Sequence, residues 1–307
     1  MHVNLVLSDL CNQACSFCAY RDPTYSSSEL FHVGGDYNPN RKLSWEKVQE
    51  VLGDCCEMGV KAVTFTGGGE PTVHPRFQDC VDLAWKLCLR YGLITNGVLL
   101  DRFDVSRASW VRVSLDAGSE FTYSKMRGVP TSHFGRALES IQKYKCGVGF
   151  VVTPENWREV VKATELVKSL GASNIRLAAR FNDKGRDIYP EYLEAKEACK
   201  EAQGLSSEGF EVHNNFGRID DLTPKHPNCG YQKLTTYVGA DENLYRCCVY
   251  AYNPYGLIGS LKGKRLKDVW GEVDWTLDAR NCRNCNYVGI NRAINEFQDE
   301  DEHSYFV

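Results

Sequence analysis

No apolar run in the sequence approaches the ~18 residues that would cross a bilayer, and its start, Met1 through Asn4, lacks the basic stretch and apolar core of a secretory signal. Charge of one sign is lacking too. Lys and Arg total 36 against 40 Asp and Glu, a formal net charge of -4, so no whole-molecule field draws the chain onto a nucleic-acid backbone or an anionic membrane. The expectation is an unprocessed cytoplasmic protein with no membrane contact. With 307 residues, 43% of them hydrophobic and 25% charged, the chain is long enough for two cores and two domains.

Cysteine, by contrast, is abundant: 14 residues. A reducing compartment would not keep a disulfide framework, which leaves metal ligands and ordinary buried thiols. Cys11, Cys15 and Cys18 cluster at the start, and Cys229, Cys247, Cys248, Cys282 and Cys285 lie in the last third. Cys55, Cys56, Cys80, Cys88, Cys146 and Cys199 fall mostly in helical patterns, where a small buried hydrophobe is the better reading.

Over residues 3–202 short β-branched runs alternate with amphipathic segments, the pattern of βα units around a parallel sheet. Strands are expected at 4–8, 62–66, 92–95, 110–115, 147–152 and 174–178, and helices at 45–57, 76–89, 101–106, 133–144, 157–170 and 192–203. Ser44 and Asn156 read as helix N-caps and Gly171 as a C-cap. Six units fall two short of a closed eightfold barrel, so the α/β fold expected is a partial (β/α)6 TIM-like barrel over residues 1–205. Residues 206–307 form a small second domain with a hairpin around 235–245, stabilised by metal in place of a large core, and an acidic end at 298–302.

Cys11, Cys15 and Cys18 follow the first strand as Cys-x3-Cys-x2-Cys, so one short loop gathers three thiolates. Three ligands are one too few for zinc or for a fully ligated iron-sulfur cluster. On spacing alone, ordinary thiols and zinc completed by a distant histidine stay open. In a cubane, one iron left open can chelate an outside amino and carboxylate group. Thr66-Gly67-Gly68-Gly69-Glu70-Pro71 ends the second strand, where missing side chains let a ligand lie against the backbone. Thr95-Asn96-Gly97 ends the third strand and Ser114-Leu115-Asp116 the fourth, which puts small polar residues on the rim where barrel sites form.

Through Cys11-x3-Cys15-x2-Cys18, Gly67-Gly68-Gly69-Glu70-Pro71, Ser114-Leu115-Asp116 and Arg127, the sequence over residues 3–202 resembles the radical S-adenosylmethionine (radical SAM) enzymes. The resemblance implies that the three cysteines hold an oxygen-sensitive four-iron, four-sulfur cluster whose open iron binds SAM. It places Phe17 near the adenine, Gly68, Gly69 and Glu70 toward the methionine amine, Ser114 against the cofactor and Arg127 on the methionine carboxylate, with Asn96 and Asp116 on the ribose or the substrate. An electron donor such as flavodoxin or ferredoxin is implied. The reduced cluster would then cleave SAM to a 5'-deoxyadenosyl radical that abstracts hydrogen from substrate.

Cys229, Cys247, Cys282 and Cys285 supply four thiolates, enough for tetrahedral zinc or a complete cluster. Their order, with the Asp241–Cys248 stretch and Gly259, Leu266, Val269 and Trp270, resembles the twitch module related to the SPASM domain, and implies a second, auxiliary four-iron cluster. Glu242 stands where that module usually has glycine, and Cys248 is a substitute ligand.

Two segments are candidates to face the substrate: the long connection 20–43, with Tyr25, Phe31, His32, Tyr37 and Arg41, and the basic stretch Arg176, Arg180, Lys184 and Arg186, suited to a carboxylate or phosphate. The expected substrate is a small molecule or nucleoside, with oxidation, epimerisation or isomerisation as the outcome. Alternatives are a peptide maturase, against which the near-immediate first strand weighs, and modification of a base within nucleic acid. A non-catalytic electron carrier or zinc-stabilised binding module is the alternative of another class.

Overall fold

The computed structural model describes residues 1–21, 40–182, 185–186, 189–216, 223–224, 227–273, 275, 277–282 and 285–299. The candidate lid residues Tyr25, Phe31, His32 and Tyr37, the basic Lys184 and the acidic end beyond Asp299 lie outside them.

Six parallel strands run in sequence order: β1 (His2–Val6), β2 (Ala62–Thr66), β3 (Arg90–Thr95), β4 (Trp110–Ser114), β5 (Gly147–Val152) and β6 (Asn174–Ala179). Between and after them lie α1 (Trp45–Glu57), α2 (Phe77–Lys86), α3 (Glu120–Arg127), α4 (Ser132–Tyr144) and α5 (Val160–Ser169). A short ribbon, β7 (Phe181–Asn182) and β8 (Gly185–Arg186), precedes α6 (Tyr192–Gln203). The expected partial TIM-like barrel is the fold observed. Its core forms where the strands' outer faces meet amphipathic helices: Val113, Val148, Phe150, Val152, Ile175 and Leu177 pack against Ala137, Ile141, Ala163, Val167 and Ala195.

The remaining strands join the same sheet. β9 (Glu211–Asn214) pairs parallel with β6, and β10 (Thr235–Val238) pairs parallel with β1. β11 (Asn243–Tyr245) and β12 (Leu257–Ser260) continue antiparallel, giving a ten-stranded sheet. Residues after 206 therefore share the barrel's sheet, and Val238, Leu244, Leu261, Leu266 and Val269 sit in one core with Val3, Leu5 and Val63. α7 (Leu266–Gly271) and α8 (Val288–Asp299) complete the chain.

Ser44 caps α1 by accepting from Lys47 N, and Gly171 takes φ +81° past α5. Asn156 departs from expectation. Its side chain accepts from Thr153 N and donates to the Asp116 and Val151 carbonyls, so it braces two strand ends and caps no helix. The helix expected over 101–106 is a single 3-10 turn, Leu100–Arg102. Cys55, Cys80, Cys146 and Cys199 are buried as expected, whereas Cys56 and Cys88 are exposed.

The β10–β11 turn puts Glu242 at φ +60°, a left-handed conformation that costs a residue with a Cβ roughly 1–2 kcal/mol. Glu242→Gly is expected to raise stability by about 1 kcal/mol in denaturant unfolding. A loss of stability would mean that the 4.0 Å approach of Lys47 to Glu242 matters more than the backbone.

Burial lowers the pKa of His2, which bonds Thr64 Oγ1 and Thr235 Oγ1, and of His74, whose Nε2 meets the Leu43 carbonyl at 3.0 Å. Below the ordinary value near 6.5, the unfolded chain takes up protons that the folded chain refuses. Their contribution is therefore complete above that pH and is lost as pH falls. Denaturant stability should decline as pH falls through and below about 6.5, and His74→Gln should flatten the decline by up to about 1.4 kcal/mol per pH unit. An unchanged slope would clear His74.

Candidate active site

The loop after β1 is fixed by its backbone before any side chain is considered. Gly69 N donates to Ser8 O and Glu70 N to Leu10 O, both at 2.9 Å, and Ala14 N and Ser16 N donate to Arg127 O and Met126 O at the end of α3. A Cβ on Gly69 would lie 2.1 Å from Leu10 O. That glycine is thus required by the close approach of the cysteine loop itself, a different reason from the ligand clearance expected of it. Gly128, at φ +59°, ends α3 in the left-handed conformation and lets Ala14 pass close by.

So held, Cys11, Cys15 and Cys18 line one cleft of about 210 Å3 with Gln13, Gly67, Gly68, Gly69, Glu70, Thr95, Asn96, Ser114 and Arg127. Phe17 and Asp116 are not among the residues lining it. Burial pushes the Cys11 thiol up to about 12 and the Cys15 thiol up to about 11, and raises that of Cys18. The ligand form is the thiolate, so a bound cluster must displace those protons.

Glu70 is fully enclosed. Its Oε1 accepts from Thr72 N, Thr72 Oγ1 and Thr95 Oγ1, and its Oε2 accepts from Asn96 N at 2.7 Å. Burial raises its pKa against these four donors. Its carboxylate ties the ends of β2 and β3 together, with Oε2 the oxygen carrying fewer bonds. Asn96 in turn donates to Asn12 Oδ1 at 2.7 Å.

Arg127 and Asp116 form a buried ion pair. Asp116, at φ +58°, also accepts from Val151 N, and Arg127 donates to Gln13 Oε1 and lies 5.0 Å from the Tyr123 ring centre. Burial alone would lower the pKa of Arg127. The Asp116 carboxylate outweighs it, and the guanidinium is raised above its ordinary value. One donor, Arg127 Nε, is buried without a partner among the described residues. Asp116 thus works through Arg127. Gln13 and Asn12 were not singled out in the sequence; the signal for both was their place inside the Cys-x3-Cys spacing.

The second set of cysteines also meets. Cys229, Cys247, Cys282 and Cys285 line one cavity with Tyr231, Arg246, Tyr255, Tyr287 and Asn291. Cys285 Sγ accepts from Tyr287 N at 3.3 Å and from Asn291 Nδ2 at 3.8 Å. Burial raises all four thiols, Cys285 up to about 11. Cys248 is not in that lining and faces Tyr287 OH at 2.9 Å. Among the described residues, no three His, Cys, Asp or Glu side chains converge on a single metal-ion position. The two cavities are linked by tyrosines: Tyr237 OH donates to Gly67 O at 2.8 Å and pairs with Tyr20 OH at 2.9 Å, and both rings pack in a small core that Cys248 also touches.

Among the described residues, no helix is long and apolar enough to cross a membrane. Of the basic stretch, Arg176 faces a separate cavity in the barrel.

Comparison with known proteins agrees with this geometry. The family model described as "Radical SAM superfamily" matches residues 5–167. The chain is similar to GTP 3',8-cyclase of Synechocystis sp., 29% identical over 247 residues that cover 73% of this chain and 72% of the relative. It is similar to mycofactocin maturase MftC of Mycobacterium tuberculosis, 27% identical over 285 residues covering 86% and 68% respectively. Among solved structures, Streptococcus suis SuiB bound to precursor peptide SuiA superposes with a TM-score of 0.64 at 13% identity, covering 92% of this chain and 66% of that one, a likeness of fold.

Proposed function

The chain belongs to the radical SAM superfamily, and from that premise we propose that this enzyme cleaves SAM reductively and removes hydrogen from a small-molecule or nucleoside-type substrate. Its cofactors as a family member are SAM and the four-iron, four-sulfur cluster that binds it. When bound, the reduced cluster supplies the electron that splits SAM into methionine and a 5'-deoxyadenosyl radical. The protein's part is binding, orientation and exclusion of water.

The observation that carries the reading is the meeting of three thiols with Ser114 and Arg127 in one cleft at the strands' C-terminal ends. The donor set fits the group. Cys11, Cys15 and Cys18 hold the cluster, Gly68, Gly69 and Glu70 Oε2 face the methionine amine, and the unpartnered Arg127 Nε supplies a donor for its carboxylate. Asn96 and Ser114 take the remaining polar contacts, Phe17 the adenine, and Asp116 holds Arg127 in place.

Residues 206–307 serve as a twitch/SPASM-like auxiliary part whose Cys229, Cys247, Cys282 and Cys285 hold a second four-iron cluster. Four protein ligands would leave such a cluster no open iron for substrate, so it would serve electron transfer or positioning. A flavodoxin- or ferredoxin-type donor reduces the enzyme.

The name of the GTP 3',8-cyclase relative supports a nucleotide-like substrate. A second reading, peptide modification, is supported by the maturase relative and by the peptide-bound SuiB structure of the same fold. The deciding experiment is anaerobic reconstitution, dithionite and SAM, with 5'-deoxyadenosine read by mass spectrometry. Product above a cluster-free control is expected. None from a fully loaded protein would overturn the reading.

A further inference from the structure

β5 turns Val148, Phe150 and Val152 into the core beneath the helices, so strand alternation turns Gly147 and Gly149 toward the barrel interior. In register, Arg112 of β4 stands opposite Gly147 and Ser114 opposite Gly149, while Gly149 stands opposite Arg176 of β6. Two arginines thus flank a strip with no side chains. A Cβ at Gly149 would lie 3.6 Å from Arg112 Cδ, so the arginine stem crosses over that strip.

The space they face is a cavity of about 520 Å3, lined among others by Trp110, Arg112, Lys145, Asn174, Arg176 and His213, a size typical of small-ligand pockets. Among the described residues, its lining includes no Asp or Glu. Neither the Arg112 nor the Arg176 guanidinium has a hydrogen bond or ion pair with a described residue, and His213 meets Glu211 at 3.3 Å. Burial, then the charge of Arg176, lowers Arg112 to about 10, which leaves Arg112 charged at neutral pH. Cys248 and then Tyr287 favour the charged form of Arg112 ahead of Asp116, which is already committed to Arg127 and Val151 N, and burial raises the pKa of that thiol and that phenol. Arg176 is exposed and Arg112 half-buried, so an anion entering the cavity can reach both guanidinium groups and pair with them.

Resting on the radical SAM reading above, we infer that Arg112 and Arg176 form a substrate subsite for an anionic group, phosphate or carboxylate, on a small molecule whose reacting end lies in the cysteine-lined cleft. β4 joins the two spaces: Ser114 lines the cleft and Arg112, two residues earlier on the same face, lines the cavity. Two residues of strand span about 7 Å, the length of a small metabolite.

The test is calorimetric titration of the reconstituted full chain with inorganic phosphate and, separately, with succinate. Saturable binding of either is expected, phosphate binding tighter for a phosphorylated substrate and succinate for a carboxylate. Arg112→Met and Arg176→Met should each weaken it by about tenfold or more, while Arg102→Met, on the surface, should not. Melting without anion separates this role from a structural one: Arg112→Met should melt no lower than wild type, because it removes an uncompensated cation. No saturable binding of either anion, or equal binding by the two variants, overturns the subsite. Absence of 5'-deoxyadenosine from wild type would instead overturn the radical reading, and the titration is independent of it.

Discussion

Replacing Cys11, Cys15 and Cys18 together by Ala should abolish 5'-deoxyadenosine formation and lower iron from about eight to about four per chain, with the remaining absorbance belonging to the tail cluster. The expected independence has a structural basis, since the residues lining the two cysteine cavities do not overlap. Cys247→Ala should show the reverse, losing about four iron while SAM cleavage persists. Iron analysis with EPR on each variant reads both. Loss of all iron from the triple variant would contradict two separate sites, and zinc in the tail would make that part structural.

Breaking the buried Arg127–Asp116 pair should be the most destabilising single change in the cleft. Arg127→Met leaves Asp116 enclosed without its cation, and Asp116→Asn leaves Arg127 without its counter-ion. Removing one partner of such a pair costs about 3–5 kcal/mol. The double variant removes both charges while Asn keeps an acceptor for Val151 N and tolerates the positive φ of position 116. Its loss should therefore be much smaller than the sum of the two. With the stability loss kept small, the double variant isolates the cofactor contact: SAM affinity should fall about tenfold or more with the loss of a charge-assisted bond. Near-additive losses would mean that the pair is not a unit, and unchanged SAM affinity would remove Arg127 from the cofactor contacts.

Much of this architecture was legible because it is local and periodic. The alternation that marks β1 to β6 reflects burial on one or both faces of a sheet, and each of the six expected strands is present within a few residues. Ser44 and Gly171 could be read as caps because each acts within its own turn. Asn156 could not: its partners Asp116 and Val151 come from other strand ends, and the same residue type serves a cap or a brace equally well. The helix expected over 101–106 is reduced to the turn Leu100–Arg102, of which only Leu100 is buried.

By itself, the sequence determined the partial barrel, the three-cysteine loop and the radical SAM family, because strand alternation, ligand spacing and the glycine-rich strand end are all written in consecutive residues. Tertiary structure alone decided what depends on distant residues meeting. It turned Glu70 and Asp116 inward as braces of the site, put Cys248 outside the four-thiol cavity, joined the tail's strands to the barrel sheet and left Arg112 and Arg176 facing each other across two glycines. Those outcomes rest on desolvation and on partners as far as 233 residues apart, quantities that no spacing along one chain encodes.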